Sequence, residues 1–86
     1  MTLRRRRDLA WQQIGAELVV MSLSEKKVLG LNPAGALVWS LVEERDEDGL
    51  VQALVARFAT DERQARSDVR GFLSMLCERG LVSEAW

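Results

Sequence analysis

Histidine is absent from this chain, and cysteine occurs once, at Cys77. The first absence removes the commonest general base and the commonest metal ligand. The second excludes an intrachain disulfide and a cysteine-based zinc site, and it fits a reducing compartment, so a cytoplasmic protein is expected. No charge sign dominates: 12 Lys and Arg against 13 Asp and Glu leave a net charge of −1 at pH 7, which argues against bulk attraction to nucleic acid or to an anionic membrane surface. A long hydrophobic run is also missing. The most apolar stretch, Gly30 to Val42, is broken by Asn32 and Pro33 and falls short of the ~20 residues that a membrane span needs. Nucleophile–base pairs, glycine-rich phosphate loops and ligand clusters are likewise not found, so neither enzyme chemistry nor a cofactor or metal is expected. The 86 residues make room for one domain, spanning 1–86, that buries a little over ~60% of its unfolded surface.

What is present is a sharp strand-to-helix junction, Val28-Leu29-Gly30-Leu31-Asn32-Pro33-Ala34-Gly35-Ala36-Leu37-Val38-Trp39. Asn32 is a favoured N-cap, because its side-chain oxygen accepts from a free N–H of the first turn, and Pro33 suits the first helical position, where no N–H is missed. Ahead of it, Glu17 to Ser22 and Lys27 to Leu31 are apolar or β-branched runs around a short polar loop, which predicts a hairpin. Leu9 to Ile14 supplies a preceding strand through a turn at Gly15-Ala16. Leu18, Val19, Val20 and Met21 are apolar on both faces, so the middle strand is expected to be covered on both. Lys27 to Leu31 becomes a sheet edge.

Three helices follow. From Pro33 to about Val42, Ala34, Leu37, Val38 and Leu41 form one stripe and Trp39 lies nearly opposite, so Trp39 must meet a second surface. The acidic run Glu43 to Asp48 complements the positive end of a second helix carrying Leu50, Val51, Leu54, Val55 and Phe58. Thr60 or Asp61 caps a third, running to about Arg79, with Ala65, Val69, Phe72, Leu73 and Leu76 buried and Gly80 as its left-handed terminator. Leu81 and Val82 then lock that end. Arg4 to Arg7 precede Asp8-Leu9-Ala10-Trp11 rather than an apolar segment, so no export signal is expected and residues 1–7 read as a flexible, solvated arm. The fold class is α+β: a three-stranded antiparallel sheet followed by three helices, in the manner of a winged helix-turn-helix.

Arg6-Arg7-Asp8-Leu9-Ala10-Trp11, then Leu29-Gly30-Leu31-Asn32-Pro33-Ala34-Gly35-Ala36-Leu37-Val38-Trp39, then Leu50 to Phe58 and Ala65 to Val82 together resemble the PqqD-like family over nearly the whole chain. The Gly-Leu-Asn-x-x-Gly-Ala-x-x-Trp pattern carries most of the specificity, and Phe72-Leu73-x-x-Leu76-x-x-x-Gly80-Leu81-Val82 is similar to the family's last helix. The resemblance implies a small non-catalytic domain, a recognition element for precursor peptides that are made on the ribosome and modified afterwards. Its expected partners are a precursor leader peptide and a modifying enzyme, such as a radical SAM enzyme, a cyclodehydratase or a leader peptidase.

In the family the leader lies between the third strand and the last helix. Carried over, one wall is Lys27, Val28, Leu29, Gly30 and Leu31, and the other is Arg66, Arg70, Leu73 and Cys77, two cations beside apolar contacts that suit an acidic leader. The physics is independent of the resemblance, since an edge strand offers unpaired N–H and C=O groups that an extended peptide completes. Plainer readings stand beside these roles: Arg66 and Arg70 as solvated charges, Cys77 as a small hydrophobe, and Lys26 and Lys27 as charges that deter edge-to-edge aggregation. A winged-helix DNA-binding protein is the second functional reading, although Asp61, Glu62, Asp68 and Glu78 balance the arginines of the last helix. A structural or oligomerising subunit, such as a homodimer, is the third, resting on Trp11, Trp86 and the open edge.

Overall fold

The structure, a computed structural model, describes residues 2–84; Trp86, named above for an oligomerising role, lies outside them. Strands β1 (Leu3–Arg5), β2 (Leu9–Ile14), β3 (Glu17–Ser22) and β4 (Lys27–Leu31) are followed by helices α1 (Pro33–Leu41), α2 (Glu47–Phe58) and α3 (Glu62–Glu78) and by β5 (Val82–Glu84). The sheet order is β2-β3-β4, antiparallel throughout, so β4 is an edge. Local chemistry sets the helix ends as the residue types require. The Gly35 amide donates to Asn32 Oδ1 at 2.9 Å, and Asp46 and Asp61 cap α2 and α3 in the same way. At the far end of α3, Gly80 sits at φ +70° while Gly80 N–H donates to the Cys77 carbonyl and Leu81 N–H to the Leu76 carbonyl. That paired arrangement closes a helix whose next residue is left-handed.

One face of the sheet packs on α1 and on the C-terminal part of α3. Leu9, Leu18, Val20 and Leu31 are buried on that side, and cross-strand pairing puts Leu29 and Lys27 on it too, opposite Val20 and Ser22. The other face carries Ala10, Val19, Met21 and Val28. Met21 and Val28 are exposed, so the expectation that both faces of β3 are covered is corrected: among the described residues nothing lies over the second face.

Helix α1 joins two cores. Ala36, Trp39 and Val42 face the sheet, whereas Val38 faces Leu50, Val51, Leu54, Ala65 and Val69 of α2 and α3. Trp39 is fully buried, meeting Trp11 edge-on with ring centroids 5.4 Å apart, which is the second surface its position demanded. Gly35 is required here by space. A Cβ at this position would lie 2.7 Å from Phe72 Cε1, so the missing side chain lets α1 and α3 approach at that point.

The amino-terminal arm is also corrected. Residues 3–5 form β1 and pair antiparallel with β5, Leu3 opposite Glu84 and Arg5 opposite Val82. Arg5 is tied down as well: its amide donates to Glu43 Oε2 at 2.8 Å, its Nη1 donates to the Trp39 carbonyl at 2.8 Å, and its guanidinium lies 4.8 Å from the Trp11 ring centroid. A solvated arm loses conformational entropy when ordered, and these contacts together offset that cost.

Candidate functional site

Between the start of β4 and the end of α3 lies a cavity of about 340 Å³. Val20, Leu29 and Leu81 supply apolar surface, and Ser22, Glu25, Lys27, Val28, Glu78 and Arg79 complete the lining. Val20 and Leu81 belong to the buried core, so this floor is held rigidly. One wall is a strand whose outer edge pairs with no other strand among the described residues. Backbone donors and acceptors without partners, next to an apolar hollow, form a site for an extended chain rather than for a rigid small molecule.

The hairpin end of the cavity is closed by Arg6. Its guanidinium bonds to Asp8, to Ser22 Oγ at 2.7 Å and to Glu25 Oε1 at 2.9 Å, while Ser24 Oγ donates to Asp8 Oδ2 at 2.6 Å. Arg6 holds the Glu25 carboxyl below its ordinary range, with Ser22 helping, and Ser24 followed by Arg6 does the same for Asp8. Glu25 is therefore a carboxylate already satisfied. Lys27, Glu78 and Arg79 form no ion pair among the described residues. All the perturbed groups among the described residues are held more firmly in their charged forms: Arg6 and Arg66 are raised and Glu25 and Glu47 lowered by their ion-pair partners, and Asp8 is lowered by Ser24 first and then Arg6. A general acid or base requires the opposite, a pKa moved toward neutrality.

Of the residues named from sequence, Lys27, Val28 and Leu29 line the cavity. Gly30 is exposed and has open space where a Cβ would stand, and Leu31 is buried, so these two offer backbone only. The residues expected for the helix wall do not line this cavity. Arg66 turns to the start of α2, where it meets Glu47 at 2.7 Å and Asp48 at 2.9 Å, and reaches Glu62 one turn back at 3.3 Å; Arg70 joins Glu47 at 3.1 Å. With Arg63 and Ser67 they line a separate depression. Leu73 packs half-buried against both cores, and Cys77 is exposed but does not line the cavity. On the opposite flank, Asp68, Phe72 and Met75 border a further hollow, and at its end Arg79 lines the main cavity together with Lys27, Val28 and Leu29 of β4. Sequence reasoning missed Arg79, Glu78 and Glu25. The only local signal for Arg79 was its place one residue before the terminator Gly80, beside Leu81.

A family model described as coenzyme PQQ synthesis protein D (PqqD) matches residues 17–82. Two solved structures superpose on almost the entire chain. One, TbiB1 in complex with the TbiA(beta) leader peptide, has a TM-score of 0.83 at 26% identity and covers 100% of this chain and 99% of its own. The other, a lasso peptide synthetase B1 complexed with the leader peptide, has a TM-score of 0.83 at 19% identity, covering 96% of this chain and 99% of its own; at that identity the likeness is one of fold. A comparison with curated proteins returns no significant match. The PqqD match runs from the first residue of β3 to the first of β5 and so contains the free edge, the Asn32 cap, the Gly35–Phe72 approach and the whole of α3: the chain belongs to the PqqD family.

Proposed function

We propose that this protein is a non-catalytic adaptor that binds the leader of a ribosomally made precursor peptide, taking it up as an added strand on β4, and presents it to a modifying enzyme or leader peptidase. The unpaired edge of β4 beside the cavity carries this reading, and it is supported by the leader peptides present in the two similar structures. A cytoplasmic location accords with it. No helix among the described residues is long and apolar enough to cross a membrane. For DNA binding, α3 is the helix that would enter the groove, yet Arg66 is tied to Glu47, Asp48 and Glu62, and Arg70 shares Glu47 through its Nε, so acidic neighbours offset both arginines.

The test is a proline scan along β4, read by titration with the leader of a precursor encoded beside this chain. Successive N–H groups of an antiparallel strand point to opposite sides, so Val28 and Gly30 form one set and Leu29 and Leu31 the other. Proline in the set facing β3 breaks the sheet ladder and lowers the melting temperature. In the outward set it deletes donors that the free protein does not use, leaving a folded domain that no longer binds. Wild-type binding is expected at 1:1 with a micromolar or lower Kd, roughly −8 kcal/mol or better. Unchanged affinity in a folded outward-set variant would rule out β4 as the docking strand.

A further inference from the structure

Lys27 and Leu29 are two residues apart on β4 and share the face that looks toward the helices, opposite Ser22 and Val20 respectively. A strand added to β4 keeps the same two-residue alternation, so its groove-facing side chains fall opposite alternate β4 residues. The one beside Leu29 looks onto the apolar floor of Val20 and Leu81. The one beside Lys27 reaches the mouth of the cavity, whose other wall is Arg79. Glu25 also lines that mouth, but Arg6 and Ser22 already occupy its carboxylate at 2.9 and 3.2 Å. On α3, Glu78 also lines the cavity, about 100° around the helix from Arg79. The two cations thus line one cavity from opposite walls with neither in an ion pair among the described residues, and Lys27 acts on the Glu25 carboxylate only at longer range.

We propose that the groove reads a two-residue pattern in its peptide: an apolar side chain seated on Val20, Leu29 and Leu81, and a carboxylate two positions away held between Lys27 and Arg79. The ligand class is an extended acidic peptide, which rests on strand addition to β4 and specifies which leaders the domain accepts. It also replaces Arg66 and Arg70 as the acid-reading pair, because those two lie at a separate depression and do not line this cavity.

A phage library of random twelve-residue peptides, selected in parallel on the wild-type chain and on the Lys27→Glu/Arg79→Glu double variant, provides the test. Selection on the wild type should enrich apolar-x-Asp/Glu, or its reverse order, and selection on the variant should replace the acid with Lys or Arg. A synthetic peptide from the wild-type pool should lose affinity about fivefold or more with either single reversal and regain it on the double variant when its acid is changed to Lys. Both side chains are exposed, so the variants should melt as the wild type does; if the double reversal fails to fold, Lys27→Gln/Arg79→Gln should lose the acid preference without acquiring a basic one. Identical residues in the two pools, or affinity indifferent to reversal, would overturn the acid pair, while loss of those same peptides with proline in β4 would leave strand addition standing. Peptides indifferent to proline in β4, or no enrichment at all, would overturn both.

Discussion

Both flanks of α3 carry arginine, but in different chemical surroundings. On one, Arg66 is surrounded by Glu47, Asp48 and Glu62, and Arg70 Nε meets Glu47; these bonds join α3 to the start of α2. On the other, Arg79 stands across the cavity from Lys27 with neither in an ion pair among the described residues. An arginine on a helix is therefore not a binding residue by type. It becomes one only when the fold leaves its donors unused at a surface that a ligand reaches, since a guanidinium already bridging carboxylates must break those bonds to engage anything else.

Removing the stripe between the flanks should have the largest effect. Leu76 is buried in the core that joins α3 to the sheet, and Leu76→Ala should cost about 2–5 kcal/mol by denaturant unfolding, weakening both flanks together. Next comes the contact that sets how α3 lies against α1. Gly35→Ala places a Cβ 2.7 Å from Phe72 Cε1 and should destabilise by about 1–3 kcal/mol; the double variant Gly35→Ala/Phe72→Leu should recover part of that loss. An equal loss in both would show that Phe72 does not set the approach.

A smaller effect sharpens the contrast directly. Arg66→Ala should lower the melting temperature slightly and leave leader affinity unchanged, because exposed and half-exposed ion pairs contribute little. If Arg66→Ala instead weakens leader binding without touching stability, the two flanks have been assigned the wrong way round. The smallest effect is in pH. Arg70 first, then Arg66, hold the Glu47 carboxyl below its ordinary value of 4.5. A depressed native pKa contributes stability above the unfolded value that is lost as pH falls through the native one. Thermal melts should therefore fall off below about pH 4.5, and less steeply in Glu47→Gln.

The legible parts of the molecule were those whose causes lie within a few residues. The β2–β3–β4 meander follows from alternation and from turns at Gly15 and Ser24 to Lys26. Trp39 had to find a second surface because it stands opposite the stripe of α1, and it does. What escaped was the ribbon of β1 with β5, since strands of three residues at the two ends of the described chain leave no periodicity to detect, and Arg4 to Arg7 taken alone look like a solvated run. The uncovered face of β3 escaped for a related reason: Val19 and Met21 are apolar whether or not anything packs on them.

The sequence by itself determined the three-stranded meander, the three helices with their ends and the exposed edge, because Asn32, Asp61 and Gly80 act on N–H and C=O groups within one helical turn and β4 passes straight into a capped helix. Only the tertiary structure decided which flank of α3 looks at that edge. An amphipathic stripe specifies the direction of burial and leaves two flanks equivalent on either side of it; the choice between them depends on the rotation of α3 against α1. That rotation places Phe72 over the bare backbone of Gly35 and Arg66 against Glu47, contacts between residues 37 and 19 positions apart in the chain. With α3 so placed, Arg79 is the cation left facing Lys27.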